Sequence, residues 1–92
     1  MSVGKWSEAR DREAHVAATV FRLVAQTPEE EAYFRGYGNG IARRLSGGAG
    51  DGYEVRAMEI LQNAADEATR ALGIGYRDGL AGEPLRDRRM GA

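Results

Sequence analysis

The sequence predicts an all-α fold, a compact bundle of three to four helices. Three observations favour it: clear helix start and stop signals, apolar residues spaced three and four apart, and no alternating β-branched run typical of a strand. The chain has 92 residues, 42% of them hydrophobic and 29% charged, as expected for one globular domain. We therefore expect a single helical domain over residues 1–92, with flexible ends at 1–6 and 85–92.

The first predicted helix runs from Glu8 to Gln26, with Ser7 as its N-cap. Apolar residues recur along it at helical spacing, which predicts a stripe that faces the core. The stripe consists of Val16, Ala17, Val20, Phe21, Leu23 and Val24.

The second predicted helix starts with the strongest local signal in the chain. Thr27 is a good N-cap, Pro28 suits the first helical position, and Glu30 completes a capping box. This helix is expected to end at about Leu45, and Gly47 can take the left-handed conformation that follows a helix.

Residues 46–52, "SGGAGDG", form the predicted loop between two halves of the chain. A third helical pattern begins at about Gly52 and keeps its phase as far as Leu80, so it predicts one long helix, either continuous or kinked or broken near Gly73 and Gly75. Gly82 and Pro84 are typical signals that end a helix.

Two glycine-rich stretches repeat each other at an offset of 39 residues. "AYFRGYGNGIAR" (32–43) aligns without gaps on "ALGIGYRDGLAG" (71–82). Glycines four residues apart lie on one face of a helix. Glycine disfavours a helix interior, so the occurrence of the same glycine pair in both copies indicates a role in helix packing. The predicted helix-packing residues are Gly36, Gly40, Gly75 and Gly79. We expect the two copies to cross each other or to pair across a homodimer.

The glycine clusters do not fit a nucleotide site. Their spacing is G-x-G-x-x-x-G or G-x-G-x-G, no strand precedes them, and the only lysine is Lys5. The chain has no cysteine and one histidine, His15, for which no nucleophile is recognisable. The acidic clusters are typical of solvated helix faces. We expect no catalytic residue, no metal site and no cofactor, and therefore no enzyme.

Aromatic and basic residues near the repeat form a candidate partner-binding set. Tyrosine rings and arginine guanidinium groups together suit stacking and phosphate contacts. The candidates are Tyr33, Tyr37, Arg43, Arg44, Tyr76 and Arg77. The net charge of −1 provides no general attraction to nucleic acid, which disfavours direct binding to it.

The repeated pattern A-x-x-x-G-Y-x-x-G-[I/L]-A, at Ala32–Ala42 and Ala71–Ala81, resembles the helix motif of ribosome modulation factor. Members of that family are short bacterial helical proteins that bind the small ribosomal subunit in stationary phase. The resemblance implies helical packing through the motif and a ribosome- or RNA-binding module, with Tyr37, Tyr76 and neighbouring arginines as contacts. This chain departs from the family in being slightly acidic and in carrying two copies.

The sequence favours a small, non-catalytic interaction protein that binds a larger protein or ribonucleoprotein complex as an adaptor or inhibitor. Small helical proteins of bacteria and phages without cysteine often have this role, including inhibitors of host defence complexes; this is an argument from class membership. A ribosome- or RNA-binding module is the alternative. Neither a membrane span nor a signal peptide is recognisable, so a cytoplasmic protein is expected.

Overall fold

The structure, a computed structural model, describes residues 3–47 and 52–85, and these residues form four α-helices without a strand. The predicted all-α bundle is confirmed. The helices are α1 (Val3–Leu23), α2 (Pro28–Leu45), α3 (Gly52–Leu61) and α4 (Glu67–Ala81). Residues 48–51 of the predicted loop, residues 1–2 of the first predicted flexible end and residues 86–92 of the second lie outside the described residues. None of the helices in the described ranges is long and apolar enough to cross a membrane.

The predicted start of α1 is wrong. The helix begins at Val3, so Ser7 lies inside it and cannot be its N-cap, and residues 3–6 are helical. It ends at Leu23, three residues before the predicted end at Gln26. A serine is only a favourable cap, and the helical residues that precede it here continue the backbone hydrogen bonds through it.

The predicted bounds of α2 are confirmed. Thr27 has extended backbone angles, φ −134° and ψ 155°, and its hydroxyl oxygen accepts a hydrogen bond from the Glu30 amide at 3.0 Å. The Glu30 carboxylate accepts from the Gln26 amide at 2.9 Å, one residue earlier than an ordinary capping box has it. After Leu45, Gly47 has a φ of +107°, a backbone conformation that favours glycine.

The predicted single long helix after Gly52 is wrong. The chain leaves the helical conformation at residues 62–66 and begins α4 at Glu67, whereas Gly73 lies within α4. The break has a local cause, because the Asp66 carboxylate caps the new helix by accepting from the Thr69 amide at 2.8 Å. This turn brings α3 back against α4.

The end of α4 follows the predicted signal. Gly82 adopts the left-handed conformation with φ +74°. The Glu83 amide donates to the Asp78 carbonyl at 2.9 Å and the Gly82 amide to the Gly79 carbonyl at 3.1 Å, which closes the helix as a Schellman motif.

The two central helices, α2 and α4, pack against each other, and each also supports one outer helix. α1 packs on α2, and α3 packs on α4. Most large core side chains belong to α2. The buried apolar residues are Ala18, Ala32, Tyr33, Phe34, Tyr37, Ile41, Ala71 and Tyr76.

Candidate interaction site

The four predicted packing glycines lie where α2 crosses α4. A Cβ atom on Gly36 would overlap the Leu72 carbonyl, and one on Gly40 would overlap the Tyr76 carbonyl. Successive glycines of α2 thus meet successive turns of α4, so the two helices run parallel. Only hydrogen atoms in place of Cβ allow this backbone-to-backbone approach. Of the two expected arrangements, the structure has the crossing within one chain.

The crossing is symmetric under the 39-residue offset of the repeat. The Gly36 contact with the Leu72 carbonyl has its counterpart in Gly75, whose Cβ would overlap the Tyr33 carbonyl. In the same way, Gly79 faces the Tyr37 carbonyl. Thr27 and Asp66, the N-caps of the two helices, are also 39 residues apart. The chain therefore consists of two related helical hairpins joined at a pseudo-twofold axis.

The three predicted partner-binding tyrosines are buried, so the predicted aromatic patch is wrong. Tyr33, Tyr37 and Tyr76 are each at most 1% exposed. They flank the glycine crossing, where the close helices leave space for rings on either side. Helical spacing placed them beside the glycines, but it could not show that a neighbouring helix covers them.

The tyrosine hydroxyls tie the crossing to the ends of the helices. Tyr33 donates to Oδ2 of the buried Asp78 at 2.8 Å, and Tyr37 donates to the Glu83 carbonyl beyond the end of α4. The Tyr76 hydroxyl, also enclosed, lies near Arg43 and Glu54 but meets no described residue in hydrogen-bond geometry. The two repeats therefore differ in the partners of their tyrosine hydroxyls. This difference arises because α2 continues beyond the position that corresponds to the end of α4.

Tyrosine burial predicts a loss of stability at alkaline pH. Burial raises the pKa of Tyr37 above the usual 10.0, and Asp11 and Asp78 raise it further. Burial likewise raises the pKa of Tyr76, with Glu54 adding to the effect. As the pH rises, the tyrosine hydroxyls therefore lose their protons in the unfolded chain before they do so in the folded chain. The contribution of the two protonated tyrosines to the free energy of unfolding is complete below about pH 10 and declines as the pH rises towards their folded-state pKa values.

We expect the urea midpoint to fall steadily from pH 9.5 to 11.5, and the Tyr37→Phe, Tyr76→Phe double variant to show a smaller fall. Absorbance at 295 nm follows ionisation in the same samples. Ionisation of all tyrosines near pH 10 without loss of helicity would contradict the prediction.

The three predicted partner-binding arginines each have an acidic neighbour and form no common patch with the tyrosines. Arg43 of α2 pairs with Glu54 of α3, which raises the pKa of the guanidinium group. Arg44 pairs with Asp11 of α1 at 2.6 Å. Arg77, which is exposed, lies 3.3 Å from Asp78. Two of the three pairs therefore connect helices.

Arg44 and Asp11 form the most buried of these pairs. The Arg44 Nε donates to Oδ2 of Asp11, whose side chain is almost fully enclosed, and Arg44 also reaches the Leu80 carbonyl at 3.5 Å. The pair joins α1 to α2 near the end of α4. It therefore fixes how α1 is rotated on the rest of the molecule.

The predicted core stripe of α1 is wrong for four of its six members. Ala14, Ala18 and Phe21 face the core, while Ala17 is half-buried. The larger aliphatic residues point away from α2, with exposed fractions of 62% for Val16, 50% for Val20, 78% for Leu23 and 48% for Val24. These four residues, three of them in α1 and Val24 directly after it, are named the α1 stripe. The small alanines allow α1 to lie close to α2, and the Asp11–Arg44 pair holds this orientation.

A groove of about 470 Å³ separates part of α3 from α4. At Gly73 the two helices touch, since a Cβ there would lie 2.6 Å from the Met58 carbonyl. Further along, Tyr76 and Leu80 hold them apart. The lining of this groove combines apolar residues with Glu59, Arg77 and two side-chain amides.

His15 lies elsewhere, in a smaller cavity between α1 and α2. Within the described part of the chain, no three His, Asp or Glu residues are placed to hold a metal ion.

Comparison with known proteins adds no relative from which a function could be transferred. No protein-family model matches the sequence, and no curated protein or solved structure matches it at a significant level. The function must therefore be argued from the surface itself.

Proposed function

We propose that the protein is a non-catalytic interaction protein that binds a larger protein or ribonucleoprotein complex, as an adaptor or inhibitor, through the α1 stripe. One observation supports this proposal above the others. Three aliphatic side chains on one face of α1 are half or more exposed, and Val24, just beyond the helix, is 48% exposed, while Ala14 and Ala18 of the opposite face pack into the core.

The exposed aliphatic residues form one continuous row along α1. Single exposed aliphatic residues are common on protein surfaces and need no explanation. A continuous row of them is often a surface that binds a partner. Val16, Val20 and Leu23 follow the spacing i, i+4, i+7, with which an amphipathic helix enters an apolar groove of a partner. The stripe is therefore suited to a protein groove.

An inhibitor of a host defence complex is one member of the proposed class, and a ribonucleoprotein partner is another. The partnered arginines and the buried tyrosines contribute less to such binding than the sequence suggested. The α1 stripe remains available to either kind of partner, because no described helix other than α2 packs on α1.

Affinity capture from the native host tests the proposal. We expect the wild-type chain to retain a defined complex, and Val20→Glu to lose at least nine-tenths of it, because a carboxylate in the contact would have to be desolvated. Ile60→Glu is the matched control, since Ile60 is 67% exposed on α3, outside the stripe.

Nuclease treatment of the same lysate separates the two kinds of partner. Capture that survives nuclease indicates direct protein binding, and capture lost with nuclease indicates nucleic acid in the complex. Equal recovery by Val20→Glu and wild type would contradict the role of the α1 stripe.

A further inference from the structure

The α1 stripe has the spacing of a seam between two helices. Val16, Val20 and Leu23 are separated by four and three residues, which corresponds to consecutive d, a and d positions of a heptad. Ala9 occupies the preceding d position and Glu13 the preceding a position. Val20 at a and Leu23 at d are the residue types typical of parallel pairs of helices.

The charges beside the stripe complement each other in a parallel pair. Arg12 and Glu13 are adjacent and exposed, and Arg12 pairs with Glu8 at 2.7 Å on the outside of the helix. In a parallel pair, a side chain at a packs beside the residue that precedes a on the other helix. Glu13 of each copy would therefore lie beside Arg12 of the other, which offsets the approach of the two Glu13 carboxylates.

The size of the stripe limits the strength of such a pair. Four side chains exposed to 48–78% offer on the order of 400 Å² of apolar surface per copy, within the range of large patches on monomers. A stable complex buries about 800 Å² per partner. The surface is thus large enough for a weak contact that forms at micromolar to millimolar concentration.

We infer that the free protein forms a weak, parallel, twofold-symmetric dimer in which the α1 stripes of two copies pack against each other. The glycine faces take no part in it, because each is covered by the other half of its own chain. The dimer occupies the surface that the proposed function assigns to a partner, so partner binding requires its dissociation.

Sedimentation equilibrium of the purified chain from 5 to 500 µM tests the dimer. We expect a dissociation constant between about 10 and 500 µM. Val20→Glu should weaken the dimer more than tenfold and Ile60→Glu less than threefold, with unchanged helicity by circular dichroism. A wild-type chain that stays monomeric throughout, or equal weakening by both variants, would overturn the inference.

Cysteine cross-linking tests the parallel orientation, since the native chain contains no cysteine. In a parallel pair the two copies of a Glu13→Cys variant face each other within disulfide distance. We expect oxidation to link this variant at least tenfold faster than Asn63→Cys, which places the thiol at an exposed position between α3 and α4. Equal rates for the two variants would overturn the parallel arrangement.

These measurements use purified protein, whereas the capture experiment reports on a host partner. A monomeric wild-type chain that still captures its complex would overturn the dimer and leave the proposed function standing. A chain that forms the dimer but captures no complex would overturn the proposed function and leave the dimer standing.

Discussion

Gly36→Ala is expected to lower the free energy of unfolding by about 3 kcal/mol or more, a large part of the total for a small domain. The added methyl group would overlap the Leu72 carbonyl and lie 3.0 Å from the Tyr76 nitrogen, both of which are backbone atoms of α4. A side chain can rotate away, but these atoms move only if the two helices separate. Urea unfolding followed by circular dichroism measures the change.

Gly38→Ala is the matched control for this prediction. Gly38 lies in the same helix, and a Cβ there would meet no atom within 4 Å. Alanine should therefore stabilise the helix by up to about 1 kcal/mol, its ordinary advantage over glycine. Similar destabilisation by both substitutions would show that the close approach of α2 and α4 is not responsible.

The pseudo-twofold axis extends the same prediction to the second hairpin. Gly75→Ala should destabilise the protein about as much as Gly36→Ala, because its Cβ would overlap the corresponding Tyr33 carbonyl. A difference between the two variants of more than about 2 kcal/mol, well above ordinary context effects, would contradict an equivalent role for the two copies.

Arg44→Ala is expected to destabilise the protein by about 2 kcal/mol. Loss of the guanidinium leaves the Asp11 carboxylate without its partner, and that side chain is only 7% exposed. Removing one member of a fully buried pair costs about 3–5 kcal/mol. The expected loss is smaller because Arg44 itself is 34% exposed and its charge is partly screened by water.

Arg22→Ala provides the control, because Arg22 also joins α1 to α2. It contacts Glu31 at 2.9 Å, but the two side chains are 49% and 36% exposed. We expect a change of at most about 0.5 kcal/mol for such a pair. The Asp11→Ala, Arg44→Ala double variant should regain part of the stability lost in Arg44→Ala, and a double variant less stable than Arg44→Ala would contradict the explanation.

Local chemistry explains which parts of the fold could be predicted. The start of α2 at Pro28 and the end of α4 before Gly82 depend on residues within one turn of the boundary, which the sequence displays directly. The Asp66 cap was just as local, but an uninterrupted apolar pattern across it favoured one long helix. A period of three to four residues continues across a short turn, so periodicity cannot locate such a break.

The candidate site was harder to predict, because exposure depends on the neighbouring helices. The tyrosines beside the glycines resembled a stacking surface, whereas α2 and α4 bury them. In α1, one face carries Ala14 and Ala18 and the other Val16 and Val20. Hydrophobicity favoured the larger residues as the core face. The opposite face is covered because alanines permit a closer approach and because Asp11 must meet Arg44.

By itself, the sequence determined that this protein is helical, where two of its helices begin or end, and that a glycine-rich segment is repeated. Those properties follow from backbone preferences and from hydrogen bonds within a few residues. Only the tertiary structure decided that the two glycine faces meet within one chain and that α1 presents Val16 and Val20 outward. Both depend on which surfaces come together, because a helix with two apolar faces can bury either one.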